Sequence, residues 1–281
     1  MRLVLVLLTS LLCIDMIIGL PGASVVGNRV SSSAFSPSDI SNLAYWFDAA
    51  DGDTVLTTTS PDVPATNGDT VSKWLDKSGN DRHVTQVLSS NRPILRTNEQ
   101  NGLPALEFDG SNDNLLVPGG IFNASSNISV FIVAQILAGD TYGTLFSETP
   151  GAGDGQSIAF QVATNPGALR MATDVWRPYG MFGSTTIATG DYYRFGYIVA
   201  PWEDVGTVTE LYLNGVRETE TTYGIKPTIN PNGTIYIGSL GTPLASSFIQ
   251  GKIAEVIVYD KELSAAERAS IDDYLSSKWA T

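Results

Sequence analysis

Residues 207–222, TVTELYLNGVRETETT, carry the clearest local folding signal in the chain. Two strand-like runs, 207–213 and 216–222, are separated by the dipeptide Asn214-Gly215. Asn-Gly suits the two positive-φ positions of a type I′ turn, which joins antiparallel strands in a tight hairpin. The stretch therefore predicts a β-hairpin.

Further short apolar runs lie on both sides of this hairpin, with turn-forming residues between them. They are 43–47, 103–108, 128–136, 157–162, 192–200, 234–237 and 252–259. Within 128–136, even-numbered and odd-numbered positions form two faces, as expected for a strand. Many short strands at close spacing, with almost no helical pattern between them, predict an antiparallel sandwich and not a parallel α/β sheet.

One helix is predicted after this series of strands. Residues 264–267 (SAAE) form a capping box, in which the first and last side chains satisfy each other's backbone N–H groups. Ile271, Leu275 and Trp279 follow at spacing i, i+4, i+8 and share one face. We expect an amphipathic helix that lies on the sandwich.

Composition narrows the range of partners. The 281 residues include 16 Lys and Arg against 29 Asp and Glu, a net charge of −13. This charge argues against nucleic acid and anionic membranes, because both reward a basic surface. It favours neutral partners and suits carboxylates that capture cations, although solubility alone also explains it. The 27 Gly and 14 Pro suit a fold with many turns.

The N-terminus differs from the rest of the chain. Residues 1–22 are apolar, and we interpret them either as a secretory signal segment or as a retained docking arm. Residues 23–39, rich in Ser, Gly and Val, predict a linker, and residues 40–281 the folded domain. Cys13 is the only cysteine, so the chain can form no internal disulfide and no Cys-rich zinc site.

Several stretches now resemble a known family. Near the start these are 43–51 (LAYWFDAAD), 71–80 (VSKWLDKSGN) and 101–111 (NGLPALEFDGS), and near the end 213–215 (LNG), 235–238 (IYIG) and 248–259 (FIQGKIAEVIVY). In this order they resemble bacterial and phage laminin G-like domains of the concanavalin A-like superfamily, over residues 43–279. The resemblance implies an all-β antiparallel jelly-roll β-sandwich with one C-terminal α-helix. Such domains bind sugars, proteins or calcium, or build surfaces, so function does not follow from fold.

Catalytic signals are weak. Glucanases of this superfamily carry Glu-x-Asp-x-Glu on one strand, so that two carboxylates face the same sugar. The nearest stretch, 107–111 (EFDGS), lacks the third carboxylate, and Asp109 suits a turn. An exposed strand face accounts for Glu218 and Glu220, and a solvated or turn-packing role for His83. We therefore expect no enzyme activity, with glycoside hydrolysis as an alternative.

A metal site is predicted in one loop. Residues 109–114 (DGSNDN) place Asp109, Ser111 and Asp113 at alternate positions, and calcium prefers several oxygen ligands in a flexible loop. The competing interpretation is that these side chains stabilise a turn. We expect no other cofactor.

Sugar binding requires aromatic faces and polar groups close together. Two segments offer them, 174–182 (DVWRPYGMF) and 200–204 (APWED). The candidate ligand-binding residues are Asp174, Trp176, Arg177, Tyr179 and Trp202. For Trp176, an exposed platform and packing at the rim both remain open. We expect Trp46, Trp74 and Trp279 to be core residues.

These observations favour a non-catalytic, lectin-like module for surface carbohydrate, located outside the cell. Its carrier is either a secreted protein or a phage tail, fibre or decoration protein on the virion surface. Its partner is then a glycan or a host cell surface, and residues 1–22 could also contact other virion proteins. The alternatives are a purely structural virion component and a glycoside hydrolase.

Overall fold

Two antiparallel β-sheets face each other across an apolar core in this computed structural model. It describes residues 34–120, 127–138, 142–149, 158–164, 169–174, 180–199, 210–219, 221–223, 233–241 and 247–281. The compact unit that they belong to begins at Phe35. The predicted signal segment or docking arm lies outside the described residues, as does most of the predicted linker.

The described strands are short and follow one another closely. They are β1 (Leu43–Asp48), β2 (Val55–Leu56), β3 (Lys73–Trp74), β4 (Val84–Thr85), β5 (Ile94–Gln100), β6 (Leu103–Asp109), β7 (Leu115–Pro118), β8 (Ile128–Ile136), β9 (Tyr142–Thr149), β10 (Ile158–Thr164), β11 (Leu169–Asp174), β12 (Gly180–Phe182), β13 (Tyr192–Val199), β14 (Glu210–Leu213), β15 (Val216–Arg217), β16 (Thr221–Tyr223), β17 (Thr234–Ile237) and β18 (Gln250–Tyr259). A helix, α1 (Ala265–Trp279), follows them.

The described strands form an eight-stranded sheet A and a ten-stranded sheet B. Sheet A has the order β15-β14-β13-β8-β18-β6-β5, with β1 also paired to β18. Sheet B has the order β16-β12-β11-β10-β9-β17-β7-β4-β3-β2. The predicted all-β sandwich with one C-terminal helix is confirmed. The predicted hairpin is present, because Asn214 (φ 52°) and Gly215 (φ 78°) take the positive angles of a type I′ turn between β14 and β15.

The run 216–222 is not one strand, and the expectation of an exposed face for Glu218 is wrong. β15 pairs in sheet A and β16 in sheet B, so the chain crosses between the sheets at Glu218. The Glu218 side chain is only 6% exposed. Its carboxylate accepts hydrogen bonds from Ser184 Oγ and from the N–H and Oγ1 of Thr185, which compensate for its burial at this corner.

Two apolar clusters hold the layers together. The larger fills the space between the sheets, and it includes the fully buried Trp74. The smaller lies between the outer face of sheet A and α1, where Ile271, Leu275 and Trp279 are buried as their spacing predicts. Ser264 and Glu267 form the predicted capping box at the start of α1. No helix among the described residues is long and apolar enough to cross a membrane.

The strands define two ends of the sandwich. At the first, which we call the upper end, β7, β9, β11, β13 and β16 finish, and β8, β10, β12, β14 and β17 begin. A hydrogen bond from Tyr45 Oη of sheet A to Gly119 O, just after β7, joins the sheets there. At the opposite, lower end, Gly238 packs so tightly against Phe108 that a Cβ would lie 2.4 Å from the ring.

A buried carboxylate fixes α1 to sheet A. Glu255 on β18 is fully buried and accepts four hydrogen bonds. Its Oε1 accepts from Trp46 Nε1 and Tyr274 Oη, both at 2.8 Å. Its Oε2 accepts from Trp279 Nε1 at 2.6 Å and from Lys278 Nζ at 2.8 Å. Four donors from β1 and α1 thus compensate for the cost of burying one charge.

A second carboxylate completes this network. Asp48 lies opposite Glu255 in the β1–β18 register and accepts from Lys278 Nζ at 2.6 Å and Lys77 Nζ at 2.9 Å. Burial works against ionisation, but these two cations hold the pKa of Asp48 below its usual range. Burial and the nearby Asp48 carboxylate raise the pKa of Glu255.

Replacing the central carboxylate should unfold the chain more easily. Glu255→Gln leaves at least two of the four donors without an acceptor, so we expect a loss of about 3 kcal/mol or more in the free energy of unfolding. Urea unfolding followed by tryptophan fluorescence measures it. The control is Glu262→Gln, an exposed position nearby on the chain. Equal stability of the two variants would contradict the role given to Glu255.

Candidate functional site

The upper end gathers the chain connections that contain the predicted ligand residues. The connections that leave and re-enter the sheets there are 119–127, 150–157, 175–179, 200–209 and 224–233. Trp176, Arg177 and Tyr179 belong to the third of these and Trp202 to the fourth; all four lie outside the described residues. Asp174 is the last residue of β11, and its side chain is likewise outside the described part. The flanking strand ends therefore bring both predicted ligand segments to the same end.

The described floor of the upper end is polar. Tyr45 Oη donates to Gly119 O at 3.5 Å, and the Gly120 N–H donates to Gly233 O at 2.7 Å. The Gly233 N–H in turn donates to Glu148 Oε1 at 3.1 Å. Glu148 is buried, and a Cβ on Gly120 would lie 1.8 Å from its Oε1. Only a glycine permits so close an approach of backbone to carboxylate.

Burial and neighbouring charges at this floor shift the pKa of the Tyr45 hydroxyl. Burial raises the pKa of its hydroxyl to about 12, the carboxylates of Glu148 and Asp76 add to the shift, and the Arg82 guanidinium works against it. Arg82 lies over the Tyr45 ring, with 5.4 Å between its Cζ and the ring centroid. The hydroxyl therefore stays protonated at neutral pH and acts as a hydrogen-bond donor.

Asp76 positions the loop that presents Arg82. Its Oδ1 accepts from the Trp46 N–H at 3.0 Å and from the Ser78 N–H at 2.9 Å. Its Oδ2 accepts from Ser78 Oγ at 2.7 Å and from the Arg82 N–H at 3.2 Å. His83 accepts the Asp76 N–H on Nδ1 at 3.1 Å, so the single histidine belongs to this turn. These hydrogen bonds fix the loop and involve the backbone N–H of Arg82. The Arg82 guanidinium takes no part in them.

An open depression beside α1 offers a second polar surface. It is lined by Trp46, Asp51, Lys77, Tyr274 and Lys278, among others. Trp46, predicted as a core residue, is half-buried and packs against the smaller apolar cluster, at the edge of the core. Its indole donates to Glu255, and the Lys77 ammonium lies 4.4 Å from the centroid of its ring. These side chains satisfy one another, and the depression is a structural feature of the helix attachment.

The predicted calcium loop lies at the lower end, away from the predicted ligand segments. Asp109 Oδ1 accepts the N–H groups of Ser111, Asn112 and Asp113 at 2.8, 3.1 and 3.3 Å. Asp113 Oδ2 accepts the Asp109 N–H at 3.0 Å. Both carboxylates thus stabilise the turn, as the competing interpretation of this loop predicted. In the described part of the chain, no three His, Cys, Asp or Glu side chains form a metal-binding group. Calcium binding stays a prediction.

The pKa of Asp113 gives this turn a pH dependence. Burial, aided by the Asp109 charge, raises it to about 7, whereas an unfolded Asp titrates near 3.9. The folded state therefore binds a proton more tightly than the unfolded state does. The stabilisation is fully present below about pH 4 and is lost as the pH rises through about 7.

The substitution Asp113→Asn should remove this loss of stability at high pH. The amide keeps an acceptor for the Asp109 N–H and cannot ionise, so we expect a gain of about 1–2 kcal/mol at pH 8 and almost none at pH 4. Thermal unfolding across this pH range, with the exposed Asp260→Asn as control, measures it. If these carboxylates bind calcium, calcium added at pH 8 should stabilise the natural chain and not the Asp113→Asn variant. A pH-independent effect of Asp113→Asn would contradict the assignment.

The two carboxylates of the glucanase-like stretch, 107–111, form structural contacts. Glu107 points away from the inter-sheet core and forms a two-point ion pair with Arg96, whose Nε and Nη2 lie 2.9 and 3.2 Å from the carboxylate oxygens. Asp109, two residues later, caps the turn described above. Neither carboxylate lies at the upper end.

Comparison with known proteins agrees with this architecture. A family model described as the concanavalin A-like lectin/glucanases superfamily, Laminin_G_3, matches residues 108–267, more than half of the chain. The chain belongs to this superfamily. A search of curated proteins gave no match.

Solved structures show the same fold at low sequence identity. Domain 4 of AbnA, a GH43 extracellular arabinanase from Geobacillus stearothermophilus in complex with arabinotriose, has a TM-score of 0.52 at 17% identity, covering 82% of this chain and 98% of that domain. A GH54 α-L-arabinofuranosidase has a TM-score of 0.59 at 12% identity, covering 87% of this chain and 66% of that one. The binding domain of Paraclostridial Mosquitocidal Protein 1 has a TM-score of 0.55 at 13% identity, covering 85% and 53%. The match to Trypanosoma rangeli sialidase covers 33% of that enzyme.

Sequence reasoning missed the described floor of the upper end. Tyr45 lies within one stretch that carries the family resemblance and Arg82 just after another, but nothing local to either residue indicates that they meet. Glu148 lies at the end of β9, a strand that the sequence pattern did not reveal. The signal available for Glu148 was a carboxylate near the end of the run 143–149 (GTLFSET). Alternation alone does not distinguish a buried carboxylate at that position from a solvent-exposed one.

Proposed function

We propose that this chain is a non-catalytic carbohydrate-binding module whose upper end binds a glycan outside the cell, on a secreted protein or a phage virion. The observation that carries the proposal is topological. Five connections are flanked by strand ends that lie at one end of the sandwich, and two of them contain the predicted Trp176, Tyr179 and Trp202. Aromatic rings can stack on sugar rings, while polar groups beside them fix the hydroxyls.

The floor supplies suitable polar groups. The partly exposed Arg82 guanidinium is a donor, and the buried Tyr45 and Glu148 form the polar layer beneath it. A rigid sandwich with its binding residues on the connections between strands is a common arrangement for binding proteins, because the scaffold holds the strand ends in place while the connections set specificity. Two structural neighbours support a carbohydrate ligand: one is named as an arabinanase domain in complex with arabinotriose, the other as an arabinofuranosidase.

Binding should depend on the aromatic residues of the upper end. We expect the full-length chain to bind at least one glycan on a broad array of plant, bacterial and host-surface sugars. Trp176→Ala and Trp202→Ala should each weaken it about tenfold or more, since a stacked ring contributes roughly 1–3 kcal/mol.

The control for these variants is Val87→Ala, which removes an exposed apolar group in another part of the surface. Because the 109–114 turn lies at the lower end, EDTA should leave glycan binding unchanged. Binding abolished by EDTA would instead make the module a calcium-dependent lectin and transfer the site to that turn. An absence of binding to every glycan would favour a structural virion component anchored through residues 1–22.

Glycoside hydrolysis is the second candidate, favoured by the buried Glu148 carboxylate at the upper end. A hydrolase needs a carboxyl pair across the sugar, about 5–10 Å apart. Glu107 and Asp109 lie elsewhere, and Asp76 is occupied by four donors.

We therefore expect the chain to release no reducing ends from any polysaccharide that it binds. The assay compares the natural chain with Glu148→Gln, Glu107→Gln and the exposed control Glu262→Gln. Hydrolysis lost in Glu148→Gln or Glu107→Gln but kept in the control would overturn the non-catalytic proposal.

A further inference from the structure

Arg82 differs from the other described cationic side chains. Each of the other described lysines and arginines contacts a carboxylate or donates to a backbone carbonyl. Within the described ranges, Arg82 has no carboxylate oxygen within 4.0 Å and no carbonyl acceptor. In a chain with a net charge of −13, an unpaired guanidinium is unusual, because partners are plentiful.

The position of Arg82 is fixed although its charge is not paired. Its backbone N–H donates to Asp76 Oδ2, and its guanidinium lies 5.4 Å from the centroid of the buried Tyr45 ring, next to the Tyr45 hydroxyl. The side chain is partly exposed at the upper end. A guanidinium has five N–H donors in a planar fork. The Tyr45 ring covers its face and the Tyr45 hydroxyl accepts a hydrogen bond from it, which leaves further N–H groups on its edge for a ligand.

The two carboxylates that act on Tyr45, those of Glu148 and Asp76, are committed to other partners. Asp76 accepts from Trp46, Ser78 and the Arg82 backbone. Glu148 accepts the Gly233 N–H and has a further interaction of its own. Neither carboxylate forms an ion pair with the Arg82 guanidinium.

We propose that Arg82 binds an anionic group, a carboxylate or sulfate, on an acidic glycan at the upper end. This deepens the proposed function and rests on it. An arginine fork matches a carboxylate or sulfate with two parallel N–H···O bonds, which neither a hydroxyl nor an ether oxygen can form. The overall negative charge argues against long polyanions such as nucleic acid, whereas one acidic group on a short sugar chain meets one local cation.

The test uses matched glycan pairs and the full-length chain. The probes are oligogalacturonate against its fully methyl-esterified form, and sialyllactose against lactose. A sulfated oligosaccharide with its desulfated form makes the third pair. We expect one acidic member to bind about tenfold to a hundredfold tighter than its neutral counterpart, the range of a charge-assisted hydrogen bond. This preference should weaken as salt is added.

Two variants separate charge from packing. Arg82→Met keeps aliphatic cover over Tyr45 and should abolish the acidic preference, so that the acidic and neutral members of each pair bind equally. Arg82→Lys should retain part of it. The matched control, Arg96→Met, removes an arginine that pairs with Glu107 elsewhere and should bind as the natural chain does.

The outcomes distinguish this inference from the proposed function. Neutral glycans bound as tightly as acidic ones, with no effect of Arg82→Met, would overturn the role of Arg82 and leave the binding module intact. If none of the probes binds, both the role of Arg82 and the proposed function are contradicted. If Arg82→Met fails to fold, the acidic-to-neutral ratio and its salt dependence in the natural chain still decide.

Discussion

The fold depends on how one buried carboxylate is satisfied. Glu255 takes donors from Trp46 on β1 and from Tyr274, Lys278 and Trp279 on α1, so two segments far apart in the chain meet on β18. Without those donors, a charge in the middle of sheet A would be prohibitively costly. With them, α1 is held against the outer face of sheet A, where the Trp46 side chain of β1 also packs. The family motifs at both ends of the chain therefore meet in one cluster.

This cluster also reaches the candidate site. The Trp46 indole binds Glu255, while the Trp46 backbone N–H binds Asp76, which accepts the N–H of Arg82. Anchoring on one face of the sandwich thus positions a cation at its upper end. The lower end differs, since Gly238 and Phe108 pack there without space for a Cβ and the Asp109–Asp113 turn satisfies its own polar groups. Under the proposed function, structural and recognition roles fall in different parts of one domain, as in many binding proteins on rigid scaffolds.

The sequence predicted features that local rules determine. The Asn214-Gly215 hairpin, the alternating strand at 128–136 and the buried stripe of α1 each follow from turn chemistry or periodicity, and the structure contains all three. Features set by distant contacts were not predictable. Glu218 looked exposed on a strand face, but the crossing between sheets buries it against Ser184 and Thr185. The floor residues Tyr45, Arg82 and Glu148 are far apart in sequence, and only the strand order shows that they share an end.

The most direct measurement of the central claim is hydrogen–deuterium exchange of the full-length chain with and without the tightest-binding glycan of the array. If the upper end is the binding surface, exchange should slow in peptides that contain the connections 119–127, 175–179 and 200–209 and the Arg82 loop. Peptides that contain the 109–114 turn should not change. Protection confined to that turn, or to the outer face of α1, would contradict the account and relocate the site.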